Sequence, residues 1–170
     1  MHKIIDGVRL AYDVAGSGDA IVLLHGFALD RSVWDPQFDA LAQRGRAIRI
    51  DLRGSGESAH GEGLALMETL AGDVFGILDA LDAERVVIAG HGMGGYVALA
   101  FFRMYAERVA GLALIASQVR ADAAEHSAER DALIAALEAL QRETGLRVVE
   151  ATLTALVNPG TVRAELVLAR

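Results

Sequence analysis

The stretch Val86-Val87-Ile88-Ala89-Gly90-His91-Gly92-Met93-Gly94-Gly95, continuing into Tyr96–Tyr105, decides how the rest of the chain is read. Its first four residues are apolar without a break, as expected of a strand buried on both faces of a parallel sheet. A run of closely spaced glycines follows, and then a mostly apolar segment of helical length. A strand that turns through glycines straight into a helix places its bend at the carboxyl edge of a sheet, where α/β proteins build their ligand sites.

The same alternation continues in both directions. Upstream, Ile21-Val22-Leu23-Leu24 is another unbroken apolar run, Asp30–Gln43 reads as a helix ending near Gly45, and Ala47–Ile50 is the next strand, followed by the loop Asp51–Ser58. Leu64–Leu81 carries apolar residues at helical spacing, at Leu66, Leu70, Val74, Ile77, Leu78 and Leu81. At the start, Ile4–Asp6 and Val8–Val14 read as a hairpin turning at Asp6-Gly7, with a Gly/Ser turn over Ala15–Asp19. Downstream, Val109–Ile115 is a further strand. Strands separated by helices of this length predict a mostly parallel, doubly wound α/β sheet with right-handed crossovers.

After Ser117 the character changes. Glu125–Arg142 sets Leu133, Leu137 and Leu140 on one stripe, and Leu146–Val157 does the same with Leu146, Val149, Leu153 and Leu156. These read as two amphipathic helices separated near Gly145, the second closed by Asn158-Pro159-Gly160. The chain therefore divides into an α/β part over 1–120 and a helical segment over 121–170.

Composition narrows the function classes. Of the 170 residues, 53% are hydrophobic and 23% charged, a balance suited to a globular core. The net charge of -7, with basic residues scattered, argues against a nucleic-acid partner, which needs clustered Lys and Arg. The absence of cysteine excludes disulfides, thiolate metal sites and cysteine nucleophiles within these residues. No apolar stretch reaches the length of a membrane span, and Met1-His2-Lys3-Ile4-Ile5-Asp6 lacks the apolar core of a signal peptide, so a cytoplasmic protein without a membrane partner is expected. No cofactor-binding or metal cluster is expected.

Three strand-end loops carry recognisable residues. Leu23-Leu24-His25-Gly26-Phe27 resembles the oxyanion loop of the α/β-hydrolase fold family. Asp51-Leu52-Arg53-Gly54-Ser55-Gly56-Glu57-Ser58 resembles that family's loop after its fourth strand. Gly90-His91-Gly92-Met93-Gly94-Gly95 resembles the nucleophile elbow G-x-S-x-G with its serine missing. Their order and spacing follow the family from about Ile4 to Ser117. The resemblance implies an α/β-hydrolase type of sheet with roughly six strands, cut off before the family's last strands, and cap-like helices over 121–170.

The resemblance also implies roles. Gly92 stands at the nucleophile position. Phe27 and Met93 would supply the backbone N–H groups of the oxyanion hole, which needs no side chain. His25 and Gly26 would shape the loop, with Trp34 and His91 as further binding residues. The family places its acid and histidine after later strands, beyond these residues, or in some relatives the acid after the sixth strand, which points to Asp122. The expected protein is thus related to serine hydrolases of esters or similar acyl compounds, esterase-like or lipase-like, with a small acyl molecule as substrate or ligand. It is expected to be inactive or nearly so, because Gly92 carries no Oγ. A non-catalytic binding or assembly module on the same scaffold is the alternative. An unpaired Val109–Ile115 edge would expose apolar surface, so a homodimer is expected, by edge pairing or exchange of the C-terminal helices.

Gly90-x-Gly92-x-x-Gly95 also satisfies the dinucleotide fingerprint G-x-G-x-x-G in its required strand-then-helix context. That reading needs an acid closing the next strand, where Ile115-Ala116-Ser117-Gln118 supplies none, and it leaves the other two loops without a role.

Overall fold

A computed structural model of the chain describes residues 1–62 and 65–117, together with Val119, Ala128, Asp131, Ala132 and Ala135. The chain forms two compact units, Met1–Val119 and Arg120–Arg170. In the second, the described positions 128, 131, 132 and 135 are helical. Asp122, the leucine stripe at 133, 137 and 140 and the expected helix Leu146–Val157 lie outside the described residues.

The first unit is built on six strands: β1 (His2–Ile5), β2 (Val8–Ala15), β3 (Ala20–Leu24), β4 (Arg46–Ile50), β5 (Val86–His91) and β6 (Val109–Ile115). Three helices are interleaved: α1 (Asp35–Ala42), α2 (Met67–Ala80) and α3 (Met93–Met104). The spatial order is β1-β2-β4-β3-β5-β6. The last four of these run parallel, and β1 and β2 add an antiparallel edge. The mostly parallel sheet expected from the alternation is present. The hairpin turns where expected, with Asp6 (φ 46°) and Gly7 (φ 78°) both left-handed, the backbone that a two-residue hairpin turn demands.

Strand alternation sends side chains to two faces. Val22, Leu24, Ile48, Ile50, Val86 and Ile88 meet α2 and α3 in the larger core, where Leu70, Val74, Ile77, Val97 and Phe101 are fully buried or nearly so. Leu23, Ala47 and Ala89 face the other way and are covered by Trp34 and Phe38 at the start of α1.

Three boundaries differ from the sequence expectation. The segment read as one helix from Asp30 is a 3₁₀ turn, Arg31–Trp34, followed by α1 from Asp35. Asp30 caps the turn by accepting the Ser32 N–H, and Pro36 sits in the first turn of α1, where its missing N–H does no harm. Helix α2 starts at Met67 rather than Leu64, with Leu66 extended as its N-cap. Most telling, β5 continues through His91 and α3 begins at Met93, so the glycine run is not a loop. Gly92 alone joins strand to helix.

Candidate functional site: a bend at Gly92

The carboxyl ends of β3, β4 and β5 bring the three singled-out loops together. Gly92 has φ 51° and ψ -115°, a backbone that glycine adopts without strain and that turns the chain from strand to helix within one residue. Its N–H donates to Ile115 O (2.9 Å), and its carbonyl accepts from Gly95 N–H (3.0 Å), so the bend is fastened to β6 and to the first turn of α3.

The neighbouring glycines serve a different purpose. A Cβ on Gly90 would run into the Gly94 carbonyl, and one on Gly94 into the carbonyls of Leu24 and His25. Those positions must be bare because backbone passes against backbone. A Cβ on Gly92 would meet only the Gly26 Cα, at 3.8 Å, an ordinary contact. The tip of the bend therefore has room for a side chain and holds none.

Gly26 is the point where the β3 loop touches the bend. It is buried against His91, whose Nδ1 would lie 2.8 Å from a Cβ placed there. That Nδ1 is buried and has no hydrogen-bond partner among the described residues. The loop then turns through Phe27 and Ala28, with Ala28 at φ 58° and Leu29 N–H donating to Gly26 O (3.3 Å). Phe27 is half exposed, and Met93 packs against the larger core. Among the described residues the N–H groups of Phe27 and Met93 have no acceptor, and Met93 N–H belongs to the open first turn of α3.

His25 is fully buried with both ring nitrogens engaged. Its Nδ1–H donates to Gly26 O (2.8 Å), and its Nε2 accepts from Leu52 N–H (3.0 Å), which sets the tautomer. Burial pushes its pKa below the ordinary histidine value, against the pull of the Gly26 carbonyl and Asp51, so it stays neutral. It braces the loop and has no nitrogen left to act as a base.

The loop after β4 is a brace throughout. Asp51 is fully buried and accepts the backbone N–H groups of Arg31 (2.7 Å) and Glu57 (2.8 Å) and the Arg31 guanidinium. A Cβ on Gly56 would strike the Asp51 carboxylate, which explains that glycine. Ser58 accepts from Ala11 N–H (2.8 Å) and donates to Asp51 O (2.7 Å), tying the loop to β2. Arg53 forks onto Asp73 of α2 (2.8 and 2.7 Å), and those bonds hold the guanidinium pKa above its usual value.

Trp34 is buried in the smaller core with Leu23, Phe38, Ala47 and Ala89. Residues missed by the sequence reading are Arg31, whose acidic partners are scattered along the chain, and Asp73, which a charged residue inside the apolar stripe of α2 could have signalled. Among the described residues no group of three or more His, Asp or Glu is placed to hold a metal ion, and no helix is long and apolar enough to cross a membrane. A cleft of about 500 Å³ lies at the opposite, amino end of β5 and β6 among charged residues such as Asp82, Glu84 and Arg108.

The Gly92 N–H is bonded to the sheet, so the dinucleotide reading loses the amide it would need at its second glycine. The comparisons with known proteins agree. The sequence profile described as alpha/beta hydrolase fold matches residues 19–158. A thermophilic esterase from Thermogutta terrifontis superposes with a TM-score of 0.77 at 38% identity, over 86% of this chain and 53% of that one. Epoxide hydrolase B of Mycobacterium tuberculosis is 37% identical over 122 residues, 66% of this chain and 34% of that protein. A putative carbamate hydrolase, RutD, of Azorhizobium caulinodans is 34% identical over 113 residues, 66% and 43% of the two chains. The match thus spans less than half the length of these two curated relatives. With its profile match, its strand order and its three strand-end loops taken together, the chain belongs to the alpha/beta hydrolase fold family.

Proposed function

We propose that the chain carries the charge-stabilising part of an acyl-hydrolase site without its nucleophile. In this reading the strand-to-helix bend is a nucleophile elbow whose tip bears hydrogen. The N–H groups of Phe27 and Met93 are the oxyanion hole, aimed at the carbonyl oxygen of an ester or similar acyl compound. The observation that carries the reading is Gly92 itself: the positive φ of an elbow, open space at the tip, and no oxygen.

Attack on a carbonyl needs an electron pair at that tip. The two amides can polarise a bound carbonyl, but polarisation alone supplies only the residual catalysis seen when a nucleophile is removed. The chain is therefore inactive or nearly so toward esters. Its relatives include an esterase and a putative carbamate hydrolase, which supports an acyl compound as the ligand class. Asp122 keeps its place in this reading as the acid, and 121–170 as the cap-like segment.

The test is Gly92→Ser with an activated ester such as p-nitrophenyl acetate. The unaltered chain should release no burst of nitrophenol above background, and the variant, whose introduced hydroxyl gives up its proton to solvent because both His25 nitrogens are engaged, should release about one equivalent per chain in a slow first turnover. A folded variant that binds the ester and gives no burst would instead favour a binding or assembly module on a hydrolase scaffold.

A further inference from the structure

The loop that presents the Phe27 amide leaves β3 at His25 and enters the 3₁₀ turn at Arg31, and both ends are fastened to the loop after β4. At the near end His25 bridges Gly26 O and Leu52 N–H. At the far end the Arg31 N–H donates to Asp51 Oδ1 (2.7 Å), and its guanidinium donates to Asp51, to Asp13 Oδ2 (2.9 Å) and to Glu57 Oε2 (2.9 Å). The Asp51 side chain is wholly buried and that of Arg31 is 17% exposed. A buried pair of this kind adds little net stability, because desolvation of both charges offsets their attraction; what it supplies is fixed geometry. The Phe27 N–H shares one planar peptide with Gly26 C=O, so the direction of one sets the direction of the other. A short loop clamped at both ends has few ways to rotate that peptide.

We propose that Arg31, acting through Asp51, is a positioning residue for the Phe27 amide, holding it where the negative charge of a reacting acyl group develops. This rests on the oxyanion-hole reading above. Arg31 touches no substrate; it acts only through the loop.

The test uses the full chain carrying Gly92→Ser, with Arg31→Gln or Arg31→Lys added, and follows acylation by p-nitrophenyl acetate in stopped flow. Arg31→Gln should lower the acylation rate constant about tenfold to a hundredfold, as expected for a small misplacement of a reacting geometry, and leave the half-saturating ester concentration within about twofold. Arg31→Lys should recover only part, because a single ammonium cannot reproduce the guanidinium fork. A rate constant within about twofold of the parent in a folded Arg31→Gln protein, or an effect confined to half-saturation, overturns the proposal. If the Gly92→Ser parent is not acylated at all, the functional reading has failed, and the positioning claim is decided by amide hydrogen exchange in the chain as it stands. There Arg31→Gln should speed exchange at Leu29, which donates to Gly26 O, about tenfold relative to Ala83, bonded to Leu78 O at the other end of the sheet. An equal change at the two amides, or none at Leu29, overturns it.

Discussion

Gly92 and Gly94 are both glycine for reasons that a substitution can separate. Gly92 has space but a left-handed φ, so a side chain there meets only backbone strain, about 1–2 kcal/mol. Gly94 lies against two carbonyls of a central strand and its exit, which cannot retreat, so Gly94→Ala should lose about 3 kcal/mol or more. Urea unfolding of Gly92→Ser and Gly94→Ala checks the order, and equal losses would refute it. His25 gives a second prediction, with a definite sign. Its folded pKa lies below the ordinary histidine value of 6.5, so the unfolded chain binds this proton first as pH falls. The histidine's contribution is present above about pH 6.5 and is lost as pH drops from there toward its folded pKa. Thermal melts between pH 7.5 and 5 should show stability falling on the acid side, and His25→Asn should flatten that slope whatever its effect on the absolute melting temperature. Asp13, whose pKa is raised by burial but lowered further by Arg31 and Arg49, adds stability present above the ordinary aspartate value of 3.8 and lost only in more acid solution, so the two windows do not overlap.

Among the elements, the strands and their loops were legible because their information is local. Unbroken apolar runs made β3 and β5 visible, Asp6-Gly7 made the first hairpin visible, and the three strand-end motifs pointed to one edge of the sheet. What stayed hidden depends on residues far apart in the chain. Glycines ordinarily break helices, yet Gly94 and Gly95 lie inside α3: a Cβ on Gly94 would strike the Leu24 and His25 carbonyls, and one on Gly95 the Ser117 side chain. The role of Arg31 is set by Asp13, Asp51 and Glu57, which no spacing rule groups together. Trp34 reads from the sequence as packing against the sheet or lining a pocket, and it lies in the smaller core. The Arg53–Asp73 bridge between the β4 loop and α2 is another such pairing, with side chains 9% and 3% exposed. Asp73→Ala should destabilise by about 3–5 kcal/mol, since it leaves a buried guanidinium unpaired. The double replacement Arg53→Met with Asp73→Leu should recover most of that loss. Denaturant midpoints of the two variants measure this; a double variant no better than the single one would assign the loss to packing instead of charge.

For the molecule as a whole, β6 is the last strand of the described sheet, and Leu112 and Ile115 on it are exposed, with Phe102 and Met104 exposed on α3. We propose that this chain, as it stands, self-associates through that side to form a homodimer. Light scattering should then give twice the chain mass of 18.0 kDa at micromolar concentration, and a monodisperse monomer there would count against it. The functional account does not depend on the outcome, because Gly92, Phe27 and Met93 all lie on the carboxyl side of β3 and β5. It depends on whether the open tip at position 92 faces the two amides. That is decided by treating Gly92→Ser and the unaltered chain with an activated ester and mapping the acyl mass by peptide mass spectrometry. The account predicts one acyl group per chain on the peptide spanning position 92 in the variant and none there in the unaltered chain. An intact, folded variant with no adduct at position 92, or with the same labelling as the unaltered chain, would contradict it.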